Sequence, residues 1–171
     1  MSQRRAAARV VLAAVVLGLL GALLWGLLAP GEQFVVVGDD RGVPLTGESM
    51  HVFDAVAIFV LITGVTGLLT AVGAWRLARP RGPILFGGVL LGTVVATLTT
   101  AVFGEAVARL RFPRPDSLEL HQIVTVAPGI GTVVALGVAP VVASAAILVL
   151  AAIDPRDDLG APVAAAAVGA P

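Results

Sequence analysis

The chain of 171 residues is 58% apolar and only 13% charged, against roughly 45–50% apolar in soluble domains. With a mean hydropathy of +1.01 it reads as a membrane protein. Eleven basic residues, all arginine, balance eleven acids, so no net field points to nucleic acid or another polyanion. The absence of cysteine removes disulfides, thiolate metal sites and thiol redox chemistry; the absence of lysine and tyrosine removes Schiff-base, P-loop-lysine and phenol-relay chemistry.

Taken in chain order, charge-free stretches define the elements. Twenty-two residues separate Arg9 from Glu32, 21 separate Asp54 from Arg76 and 23 separate Arg81 from Glu105. About 20 apolar residues cross the hydrocarbon as helix, because backbone groups must satisfy one another there. A fourth stretch, Glu119 to Asp154, is interrupted by His121 and by Pro128-Gly129, so its spanning part starts near Gly131. The predicted fold is an all-α membrane protein, an antiparallel bundle of four transmembrane helices near 10–29, 53–77, 84–107 and 131–153, with a small outer β-hairpin or extended loop. These form one domain, 1–153, followed by an alanine-, glycine- and proline-rich cytoplasmic tail, 154–171, whose composition predicts disorder.

The first helix follows a basic segment, Arg4, Arg5 and Arg9, but its apolar run exceeds the ~7–15 residues of a signal peptide, and Pro30 directly follows the small residue Ala29. It is expected to be an uncleaved anchor. With the N-terminus inside, seven arginines fall on the cytoplasmic side and four outside (Arg41, Arg109, Arg111 and Arg114), which makes both termini cytoplasmic in a plasma (inner) membrane. Eight of the eleven acids then lie outside. In this arrangement Trp25 and Phe103 belong to an outer aromatic belt, Trp75 and Phe86 to an inner one.

Arg79-Pro80-Arg81-Gly82-Pro83 is a tight basic turn, making helices two and three antiparallel neighbours. In the first outer loop, Gln33–Val37 with its β-branched valines, turn residues 38–42 and Val43–Thr46 predict a hairpin, with Pro44 restricting the second strand to an edge. The second outer loop, Arg109 to Gln122, contains Pro113 and Pro115 and is expected to be extended, with a short interfacial turn over 116–121.

Small residues recur every fourth position inside the helices: Ala14, Gly18, Ala22 and Gly26 in helix one, and Gly88, Gly92, Ala96, Thr100 and Gly104 in helix three. Helix two offers Thr63, Gly67 and Ala71, helix four Ala135, Ala139 and Ala143. Such stripes allow the close approach that drives association in lipid, where apolar burial does not. They serve either the chain's own bundle or a partner protein. Pro140 is expected to kink helix four by removing a backbone donor and crowding the Leu136 carbonyl.

None of the four helix interiors carries an ionisable group, the usual mark of a transporter or proton relay. Candidates gather at the outer ends: Glu48, His51 and Asp54 entering helix two, Glu105 ending helix three and His121 before helix four. At helical spacing the first three share a face and can converge with Glu105, a set chemically able to hold a divalent metal. Their plainer use is as solvated helix-end charges, with Glu105 and Arg109 an i, i+4 pair and Asp54 and Glu105 balancing Arg109 or Arg111. No metal, haem or other cofactor is assigned, and no phosphate loop, zinc helix or nucleophile triad is present in the sequence.

An anchor ending Leu24-Trp25-Gly26, an outer segment with Gly47-Glu48 leading to Phe53-Asp54, then Trp75-Arg76 and Arg81-Gly82 before a glycine-rich helix resembles a family of uncharacterised four-helix membrane proteins of high-GC actinobacteria, over about residues 10–153. The resemblance implies an envelope-facing plasma-membrane protein with no assigned activity and no catalytic residues to carry over. Two functions are expected. One is a non-enzymatic accessory or scaffold subunit of a cell-envelope complex, packing through small-residue helix faces and presenting the outer hairpin. The alternative is a small oligomeric transporter or permeation unit with its coupling groups at the outer helix ends. The implied partners are the lipid bilayer and a membrane protein or a second copy of the chain, not nucleic acid. An enzyme acting at the outer interface is a distant third reading.

Overall fold

The computed structural model describes residues 3–38, 41–45, 48–77, 82–113 and 121–154. The expected disorder after residue 154, the Pro80 turn and the interfacial turn at 116–120 lie outside the described residues. Four helices dominate: α1 (Gln3–Leu28), α2 (Glu48–Leu77), α3 (Pro83–Arg111) and α4 (Val138–Ala152), the last entered through a 3-10 turn, Val133–Gly137. With that turn included in the fourth, each is long and apolar enough to cross a membrane, and the chain is a four-helix membrane protein. α1 and α3 run beyond their apolar cores to include Arg4, Arg5 and Arg9 at one end and Arg109 and Arg111 at the other. Helical hydrogen bonding does not stop at the hydrocarbon edge, and arginine's apolar stem lets its charge reach the headgroups.

Helix four, expected over 131–153 with a kink at Pro140, is divided instead into the 3-10 turn Val133–Gly137 and α4. Pro140 occupies the third residue of α4, just after the change from 3-10 to α geometry. A proline at that point lacks a donor that a first α-turn would leave unpaired in any case. The Ser144 hydroxyl donates to the Pro140 carbonyl at 2.7 Å.

The tightest helix contacts join α1 to α3 and α2 to α4, rather than the hairpin neighbours α2 and α3. Along the first pair contacts advance in step, Gly88 on Ala7, Gly92 on Ala14, Gly18 on Ala96 and Gly104 on Trp25, so these helices run parallel. A Cβ on Gly18 would lie 2.6 Å from the Ala96 carbonyl oxygen, an approach only glycine permits. Gly67 meets the Ala139 backbone in the same manner, and Ala71 and Ala143 share one buried cluster. Both stripes of small residues are thus buried inside the chain. Buried hydroxyls of Thr63, Thr70, Thr93 and Thr97 each donate to the carbonyl four residues back, which satisfies them without an interhelical partner.

The two pairs are joined near the ends of α1 and α3 by Trp25. Its ring is fully buried, its Nε1 donates to the Ala55 carbonyl at 2.8 Å, and it meets Phe59 edge to face with centroids 6.1 Å apart. The expected belt position for Trp25 is therefore incorrect. Gly104 leaves room for the indole, and a helix carbonyl on α2 supplies the acceptor that the interface would otherwise provide. Phe103 and Phe86 are exposed on the bundle surface.

Beyond this end lies a three-stranded antiparallel sheet in the order β2-β1-β3, formed by β1 (Glu32–Gly38), β2 (Arg41–Pro44) and β3 (Ile123–Val126). Pro44 sits on the edge strand opposite Phe34, where its missing donor faces outward. β3, from the second loop, is an addition to the expected hairpin. This is the sheet end, and the other is the arginine end.

Candidate functional site at the sheet end

The charged residues at the sheet end do not assemble into one set. Glu105 pairs with Arg109 at 3.2 Å across one turn of α3, with the arginine well exposed. Asp54 is exposed on α2 and joins no ion pair among the described residues. His51, one turn earlier, is half-buried. The Glu48 side chain lies outside the described part. Among the described residues, no three histidine or acid side chains come together to hold a metal.

Arg111 takes a different role from the expected charge balance. Its guanidinium donates to the carbonyls of Leu27 and Ala29, the latter at 3.3 Å, and stacks 4.8 Å from the Phe112 ring centroid. The last carbonyls of a helix lack intrahelical donors and carry partial negative charge, so a cation there caps α1. Phe112 and Thr125 in turn pack on Gly31, where a Cβ would lie 2.6 Å from Thr125 Cγ2. Arg111 and Phe112, at the end of α3, thus fix the exit of α1 and the seat of the sheet together.

His121 serves the sheet through its backbone. Its φ of 68° places it in the left-handed region that histidine tolerates better than β-branched residues. Its N–H donates to the Val36 carbonyl at 2.8 Å, and the Val36 N–H donates to Gln122 at 3.0 Å, extending the β1–β3 ladder.

Register divides the sheet into two faces. Val36 and Val124 are buried, while Val35 stands directly between Val43 and Ile123 on the opposite face. Val43 is 52% exposed and Ile123 59%, and Val37, two residues along β1, is 51% exposed. A cross-strand row of β-branched side chains therefore faces outward. The β-branched residues and turn chemistry of the first loop predicted two strands, but Ile123-Val124-Thr125-Val126 is only four residues long and gave too short a pattern to distinguish strand from extended loop.

The chain is 32% identical to an uncharacterized protein of Mycobacterium leprae (strain TN), over 88% of this chain and 87% of the relative. No solved structure matches it significantly. Residues 13–161 match the family described as Protein of unknown function (DUF2567), to which the chain belongs.

Proposed function

We propose that the protein is a non-enzymatic accessory or scaffold subunit of a cell-envelope complex, sitting in the plasma membrane with both termini cytoplasmic and the sheet end outside. The reading rests on the outward row Val43, Val35 and Ile123. Contiguous apolar side chains on a face outside the hydrocarbon mark an interaction surface, and β-branched residues in register form a flat, stiff one. The small-residue stripes are occupied within the bundle, so the partner is held through the sheet instead. Titratable groups at the helix rims, not in mid-membrane, fit anchoring better than proton or ion coupling.

The test is affinity purification of the full chain from native membranes in mild detergent, alongside a Val43→Thr/Ile123→Thr double variant. Threonine keeps the strand preference and removes the apolar row. A stoichiometric partner recovered with the wild type and lost with the variant, at unchanged bundle melting temperature, is the expected result. A wild-type chain recovered repeatedly alone overturns the reading.

A further inference from the structure

Trp25 and Phe59 fill the space between the two helix pairs at the sheet end, but toward the arginine end the facing residues are small. Ala6 and Ala13 of α1 look across at Gly73 and Ala74 of α2, leaving a half-open groove of about 410 Å³. That volume falls within the ~300–1,000 Å³ of small-molecule sites. Leu17, Leu69 and Leu77 make its walls apolar, and Arg9 stands in its lining. Arg5 lies one helical turn before Arg9, and Arg76 ends α2 beside Leu77.

From this arrangement we propose that the groove is a binding site for an anionic phospholipid, with one acyl chain between α1 and α2 and the headgroup phosphate against Arg9, Arg5 and Arg76. An apolar slot opening sideways within a membrane-spanning segment is filled by hydrocarbon, since protein interiors do not leave gaps of that size empty. The charge at its mouth selects which lipid. Among the described residues this end carries Arg4, Arg5, Arg9 and Arg76 against Asp154, a balance complementary to a phosphodiester. Basic clefts between transmembrane helices bind acidic headgroups by this combination. The site is remote from the sheet and does not depend on the function proposed above.

Gly73 provides the test, because a Cβ there meets no atom within 4 Å and a larger side chain grows into the groove without displacing protein. The full chain is purified in mild detergent and examined by native mass spectrometry after addition of phosphatidylglycerol or phosphatidylcholine with identical acyl chains. The wild type is expected to retain one phosphatidylglycerol with at least tenfold preference. Gly73→Leu and Arg9→Gln should each weaken retention at least fivefold. Gly87→Leu, on open surface outside the groove, should leave it unchanged and shows that added bulk alone is harmless. Equal retention of the two lipids by the wild type, or an adduct indifferent to Gly73→Leu, overturns the proposal.

Discussion

The Thr100 hydroxyl reaches out of its own helix to the carbonyl of Gly18, 3.0 Å away on α1, while also lying 3.0 Å from the Ala96 carbonyl. At Gly18 the α1 backbone lies so near that of α3 that a Cβ would come within 2.6 Å of the Ala96 carbonyl oxygen, and this polar contact depends on the absence of bulk there. Removing it isolates the worth of one interhelical hydrogen bond. Thr100→Val should lower stability by about 0.6 kcal/mol, the average found for such bonds in membranes. Thr97→Val, whose hydroxyl bonds only within α3, should have a smaller effect. Equilibrium unfolding of both variants in mixed micelles provides the comparison.

Backbone proximity itself is tested at the glycines. Gly18→Val should force α1 from α3 and cost about 1–3 kcal/mol through overpacking. Gly67→Val should act likewise on α2 and α4, whereas Gly87→Val, with open space around it, should be nearly neutral. Thermal melting in one detergent ranks the three, and equal melting temperatures would contradict the parallel pairing.

Replacing Trp25 separates its hydrogen bond from its bulk. Trp25→Phe leaves most of the apolar contact with Phe59 and should cost about 1 kcal/mol, the worth of a typical hydrogen bond. Trp25→Ala empties the junction between the helix pairs and should cost about 3 kcal/mol. Trp75 remains as the second fluorophore, so the buried tryptophan is also visible as the short-wavelength part of the emission that Trp25→Phe removes.

Two neighbouring arginines should respond differently to neutralisation. The Arg109 pair with Glu105 is exposed and lies within one helix, so Arg109→Gln should change stability by a few tenths of a kcal/mol at most. Arg111→Gln frees the end of α1, and hydrogen exchange at Ala29 and Gly31 should accelerate severalfold without a matching change in the middle of α1.

Orientation is open to a direct measurement. Reporter fusions after Pro44 and Pro115 should be active only outside the cytoplasm, and those after Pro80 and Pro171 only within it. A C-terminal reporter active outside contradicts the proposed topology.

What could be read from the chain follows the range of each physical effect. Crossing hydrocarbon is a property of about 20 consecutive residues, so the gaps between Arg9 and Glu32 or between Arg81 and Glu105 were sufficient to place helices. The Glu105–Arg109 pair was legible for the same reason, since both residues sit on one turn. Pro44 likewise announced an edge strand through its own missing donor.

Trp25 shows where local reading stops. A tryptophan near a membrane boundary is equally well suited to headgroups and to a core with one buried acceptor. Only the presence of Ala55 O, 30 residues away, and of space above Gly104 decided for the core. The same holds for Arg111, whose partners lie 82 and 84 residues earlier, and for Ile123, which joins Val35 and Val43 only through register. By itself the sequence determined how many helices cross the membrane and where, because lipid imposes that condition segment by segment. Which helices pair, which loop completes the sheet and where a groove stays open were decided in three dimensions, because shape complementarity between distant segments has no period along the chain.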